Sequence, residues 1–204
     1  MATFELERGF SGPVIGIDEA GRGPWAGPLV VAGVCFKTYE GLPDWVYQLN
    51  DSKKISESKR NDLFAKISAY NTFLAGYITT IDVFKIDQVN ILEATMEGMR
   101  NCIDVLRTDE NMVVLVDGNR KPIQQEWCHA VTRGDSLSLS IAAASILAKV
   151  YRDNLMVQLA EEYPEYGWEK NAGYGTAKHK EALLKHGITV HHRKSFAPIR
   201  ALSI

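Results

Sequence analysis

The sequence predicts an α/β fold, a mixed central sheet flanked by helices. Three observations carry that expectation. Three β-patterned segments lie within the first 81 residues. Beyond residue 90 the order becomes helix, strand, strand, helix. The run from Met112 to Asp117 is apolar until it ends in a carboxylate, as in a parallel strand covered on both faces.

Val14 to Ala20 reads as the first strand, apolar up to Asp18. Ala26 to Phe36 is the second and is rich in valine. Gly21, Gly23, Pro24 and Gly27 make the link between them unsuited to helix. A polar loop, Asn50-Asp51-Ser52-Lys53-Lys54, follows. Ser56 then caps a helix with Leu63, Phe64 and Ile67 on one face. Phe73 to Ile81 is a third strand, and the three form an antiparallel meander. Asn90 and Glu93 make a capping box. The stripe Leu92, Met96, Met99, Ile103 and Leu106 has helical spacing and reads as core. Trp127 to Arg133 is a further strand, ending just before Asp135. Leu137 to Tyr163 is a long helix, stopped by Pro164. Ala142, Ala143, Ala144 and Ala148 let it lie close to the sheet. Thr176 caps a last helix that runs to His186 and stops at Gly187.

Composition narrows the function. The chain has 204 residues, 46% apolar and 24% charged, enough for one substantial core. Its net charge of −2 excludes a polybasic tail protein and an acidic disordered chain. Cys35, Cys102 and Cys128 are widely spaced and odd in number. They form neither a disulfide framework nor a metal knuckle, which points to a reducing, cytoplasmic setting. The start of the chain has no apolar signal segment, and no apolar run is long enough for a membrane span. Charge is unevenly placed. Residues 166–204 carry seven basic and two acidic side chains, or +5, which leaves −7 for residues 1–165. A solvated helical face accounts for such a tail on charge alone, and a polyanion partner is the sharper reading.

Asp18, Asp117 and Asp135 each fall at the carboxyl end of an expected strand, with Glu19 next to the first. Open α/β sheets build ligand sites there. Singly, each Asp is an ordinary turn residue. Together, converging carboxylates stay ionised only beside cations. All-oxygen ligation selects Mg²⁺ or Mn²⁺, commonly as a pair that serves displacement at phosphorus. Gly21-Arg22-Gly23 follows at once and offers close backbone approach and an arginine fork for phosphate. Lys53 sits in the polar loop. Tyr174, between Gly173 and Gly175, is placed to stack on a sugar or base. No phosphate loop of a nucleotide switch is present.

These residues resemble the ribonuclease HII family. The matching segments are Gly16-Ile17-Asp18-Glu19-Ala20-Gly21-Arg22-Gly23-Pro24, Asp51-Ser52-Lys53-Lys54, Val116-Asp117-Gly118 and Gly134-Asp135-Ser136 with the helix Ala142-Ala143-Ala144-Ser145-Ile146. Gly173-Tyr174-Gly175-Thr176 and Arg193-Lys194-Ser195-Phe196 complete the set. Trp25 is bulkier than the family pattern. The resemblance implies a ribonuclease H-like catalytic domain over residues 1–165 and a small basic C-terminal helical region, 166–204, packed on it. It implies an endonuclease that cleaves the RNA strand of RNA–DNA hybrids. It also implies cleavage 5′ of single ribonucleotides in duplex DNA, leaving 3′-hydroxyl and 5′-phosphate ends. Asp18, Glu19, Asp117 and Asp135 would hold two divalent ions, Mg²⁺ or Mn²⁺. Gly21, Arg22 and Gly23 would read the 2′-hydroxyl, Lys53 would contact a phosphate, and Tyr174 would stack on the deoxyribose at the junction. The partner is nucleic acid and not membrane, and the enzyme is expected to be a monomer. A phosphodiesterase that ignores the 2′-hydroxyl and a non-catalytic nucleic-acid-binding module are the alternatives.

Overall fold

The computed structural model describes residues 1–70 and 72–202. Its centre is one five-stranded sheet in the order β3-β2-β1-β4-β5. The strands are β1 (Val14–Ala20), β2 (Leu29–Phe36), β3 (Leu74–Ile81), β4 (Val113–Asp117) and β5 (Cys128–Val131). β1, β2 and β3 pair antiparallel, as the meander predicts, while β4 runs parallel to β1 and β5 parallel to β4. The sheet is therefore mixed, and β1 is its central strand.

All eight residues of β2 are buried, and alternation decides where each goes. Val30, Ala32, Val34 and Phe36 join Ala142, Ala143, Ala144 and Leu147 of α4 (Leu139–Glu162) and Leu63 and Ile67 of α2 (Glu57–Ala69). Leu29, Val31 and Cys35 face the other way, onto Met99, Cys102, Ile103 and Leu106 of α3 (Val83–Leu106). The alanines of α4 do let it lie close. A Cβ on Gly16 of β1 would overlap the backbone of Ser140 and Ile141, so only glycine fits there.

Several ends differ from the sequence reading. β2 begins at Leu29 rather than Ala26, because Gly27 takes φ 84° and Ala26 bridges to His192. α3 begins at Val83, capped by Asp82, well before Asn90. Asn90 breaks the helix at φ 71°, ψ 164°, and its Oδ1 accepts from Leu92 N and Glu93 N at 2.9 and 3.1 Å. Asn90 thus caps the second half as expected, behind a first half that the pattern hid. α6 (Ala177–His186) has Thr176 at its cap, and Gly187 ends it at φ 78°. Three short helices were not legible: α1 (Glu5–Arg8), α5 (Trp168–Asn171) and α7 (Ala197–Arg200). α5, α6 and α7 pack Trp168, Leu183 and Ile199 against Met156 and Ala160 of α4. Among the described residues no helix is long and apolar enough to cross a membrane.

α4 is anchored at its start. Ser138 accepts from Ile141 N at 3.1 Å and donates its hydroxyl to Glu7 Oε1 at 2.6 Å. The same oxygen accepts from Ser140 N at 3.0 Å. A fully buried carboxylate thus meets the positive end of the long helix. Glu7→Ala is expected to lower the urea midpoint with unchanged m, a loss of about 2 kcal/mol, because it strands two buried donors.

Candidate active site

The β1–β4 pairing stops at Ile17 and Val116, so the next residues, Asp18 and Asp117, stand level at the end of β4, while β1 continues to Ala20 against β2. Asp135 lies in the turn Gly134–Ser136, just beyond β5. The turn is tied to β4, since Gly134 N donates to Asp117 Oδ1 at 2.6 Å.

The electrostatics of these groups are linked. Burial, then Glu19, then Asp117 push the Asp18 carboxyl well above its ordinary range. The Glu19 N–H, 2.7 Å from Asp18 Oδ1, and the Ser145 hydroxyl pull the other way. Glu19 is also raised, chiefly by burial, although Arg22 at 3.3 Å offsets part of it. Asp135 is raised by burial, then by Asp51 and Asp117. The carboxylates thus feel one another across the strand ends, as the sequence reading requires.

A cleft of about 370 Å³ opens beside them. Asp18, Glu19, Gly21, Arg22, Gly23, Lys53 and Tyr174 line it, so seven of the nine expected site residues meet there. Asp117 and Asp135 do not line it; Asp117 is close enough to raise Asp18, Glu19 and Asp135. Ser52, Ser145, Lys149 and Arg152 also line it and were not singled out from sequence. Asp51 was passed over too, although it neighbours Asp135 and lies inside the quoted Asp51-Ser52-Lys53-Lys54 string.

Two buried arginines hold the loop after β1. Arg193 donates to Gly21 O at 2.6 Å, Arg22 O at 3.1 Å and Gly27 O at 2.9 Å. Arg152 donates to Pro28 O and Ala172 O at 2.9 Å and to Ala26 O at 3.1 Å. Gly21 has φ 102°, and a side chain there would overlap Arg152. With its carbonyls turned to Arg193, the loop keeps the Arg22 and Gly23 N–H groups without a protein partner among the described residues. Arg193 is therefore a correction to the reading of the tail as a phosphate-contacting surface: it is buried and spent on backbone. The tail's other basic residues, Lys170, Lys178, Lys180, Lys185, Lys194 and Arg200, are exposed.

The donor set suits a hard divalent cation. It offers only carboxylate oxygens, their charges raise one another's pKa values, and Glu19 Oε2 is buried without a hydrogen-bond partner. Among the described residues no group of three His, Cys, Asp or Glu is disposed to hold an ion as it stands. The acidic set is therefore a neighbourhood of linked charges rather than a tight cage.

The chain is similar to known proteins along nearly its whole length. The family model for Ribonuclease HII matches residues 15–199. Ribonuclease HII of Rhodospirillum rubrum is 48% identical over 200 residues, covering 98% of this chain and 91% of its own. Ribonuclease HII of Wolbachia pipientis subsp. Culex pipiens is 46% identical over 199 residues, covering 98% of each. The crystal structure of ribonuclease H2 from Pyrococcus horikoshii superposes with a TM-score of 0.78 at 25% identity, over 94% of this chain and 97% of that one.

The raised Asp18 carboxyl disfavours folding when ionised. That penalty applies above its folded pKa and disappears below the ordinary carboxylate range. In chelator at neutral pH, Asp18→Asn is expected to raise stability by about 1 kcal/mol, as when a strained functional site relaxes. The gain should shrink as pH falls toward about 4, and urea titrations at several pH values measure it.

Proposed function

The chain belongs to the ribonuclease HII family of metal-dependent hydrolases, and from that premise we propose an endonuclease that cuts the RNA strand of RNA–DNA hybrids. We also propose that it cuts 5′ of single ribonucleotides in duplex DNA, leaving 3′-hydroxyl and 5′-phosphate ends. The observation that carries this reading is the cleft where Asp18 and Glu19 meet the Gly21-Arg22-Gly23 loop and Tyr174.

In this reading Asp18, Glu19, Asp117 and Asp135 hold two divalent ions. Mg²⁺ or Mn²⁺ would supply charge neutralisation and water activation for in-line displacement at phosphorus. The chain itself binds and orients. The partnerless amides of Arg22 and Gly23 donate to the 2′-hydroxyl, the group that separates ribose from deoxyribose. Arg193 keeps the loop's carbonyls turned away from that task. Lys53, on the wall of the cleft, contacts a phosphate. Tyr174 is 47% exposed, free to stack on the deoxyribose that follows the ribonucleotide. The exposed lysines of the tail add sequence-independent phosphate contacts. Residues 166–204 thus act as a nucleic-acid-binding region beside the catalytic domain of 1–165. Free, buried Cys35, Cys102 and Cys128 support work in the cytoplasm, and we propose a monomer.

A duplex with one ribonucleotide tests this directly. Cleavage on its 5′ side is expected with Mg²⁺ or Mn²⁺, and none with chelator or with all-DNA duplex. Asp117→Asn should reduce kcat on the order of a thousandfold, because charge stabilisation at the phosphate is lost. Hybrid binding by the variant, followed by fluorescence anisotropy, should stay within about threefold, since phosphate contacts dominate affinity.

A further inference from the structure

Tyr174 lies against the recognition loop: a Cβ on Gly23 would sit 3.4 Å from its Cε1. Its own carbonyl is held from behind, by Thr176 N at 2.8 Å and by His179 Nδ1 at 2.9 Å. A carbonyl only accepts, so His179 Nδ1 carries the proton. His179 Nε2 is then a lone pair. Trp168 Nε1 at 3.3 Å and His192 Nε2 at 3.0 Å share it as a bifurcated acceptor. His192 must therefore be protonated on Nε2, which fits its Nδ1 accepting from Thr189 N at 2.9 Å. A single tautomer assignment satisfies every group, with both imidazoles neutral and fully buried.

The chain then closes on the other half of the site. His192 is joined by one peptide bond to Arg193, which grips Gly21 O and Arg22 O. The same segment docks through Arg193 N to Trp25 O at 2.8 Å, while Trp25 N donates to Gly173 O, also at 2.8 Å. One dipeptide thus spans the loop that faces the 2′-hydroxyl and the tyrosine that faces the next sugar. A packed apolar pair would fill the same space without two buried polar rings, so filling the core does not account for the imidazoles.

We propose that His179 and His192 are positioning residues that fix Tyr174 against the Gly21-Arg22-Gly23 loop, and so set the preference for a lone ribonucleotide in DNA over a continuous hybrid. This rests on the role given to Tyr174 above.

The test compares kcat and KM on a duplex with one ribonucleotide and on a long hybrid, for His192→Phe, His192→Gln and Tyr174→Ala. His192→Phe keeps the ring volume but cannot donate to His179. Its KM for the single ribonucleotide should rise about tenfold, at the lower end of a lost stacking contact, with kcat and the hybrid KM nearly unchanged. His192→Gln offers an amide N–H in place of Nε2–H and should recover most of the preference. A folded His192→Phe protein with the wild-type preference overturns the proposal if Tyr174→Ala loses that preference. If Tyr174→Ala also keeps it, the stacking role fails and takes the proposal with it. Should His192→Phe not fold, nitrogen-15 spectra of the wild-type imidazoles decide. Protonated Nδ1 on His179 and protonated Nε2 on His192 are expected, and an unprotonated His179 Nδ1 overturns the link to Tyr174.

Discussion

Like charge held together at the edge of a sheet is the constraint on which this molecule turns. Asp18 is buried next to Glu19 and level with Asp117, and its carboxyl resists ionisation because of burial and because of them. No loop would keep such groups close against their repulsion. The parallel pairing of β1 and β4 does, because both strands are locked into a sheet covered on each face. Gly16 lets α4 lie directly on β1, and Glu7 fixes the start of that helix. The stability of the core thus holds an unfavourable acidic edge in place, and the edge is where divalent cations and a phosphate would gain most.

The second half of the site is built from the opposite sign of charge, used unusually. Arg152 and Arg193 are buried and bind carbonyls rather than carboxylates. They serve the carbonyls of residues 21–28, where three glycines and two prolines leave, among the described residues, only a single bridge, Ala26 to His192, in place of regular strand pairing. The result is a turn at Gly21-Arg22-Gly23 in which the Gly21 and Arg22 carbonyls are occupied and the Arg22 and Gly23 N–H groups have no protein partner among the described residues. Two open amides beside an acidic cluster are what the proposed contact with a ribose hydroxyl would use.

Much of this was legible in the residues. The strand pattern gave the sheet, and carboxylates near strand ends marked where its acidic groups gather. Glycines around Arg22 and Tyr174 marked the cleft. What stayed hidden depends on contacts distant in sequence. Arg193 reads as one more tail cation until Gly21, some 170 positions away, is seen to need a donor. His179 and His192 drew no assignment from sequence, because only the fold brings them within hydrogen-bonding reach. Asp51 falls beside Asp135 only when the loop before α2 meets the turn after β5. Asn90 was legible as a cap, but the seven residues before it formed helix against the local expectation because Asp82 caps them.

The most direct test of the account is Mn²⁺ titration calorimetry on the complex with a non-cleavable duplex carrying one 2′-modified ribonucleotide. Wild-type protein should bind two ions per complex. Asp18→Asn and Asp117→Asn should each lose at least one of them while keeping the duplex. Equal Mn²⁺ binding by all three proteins would show that the acidic edge is not where cations are held, and the account would fall.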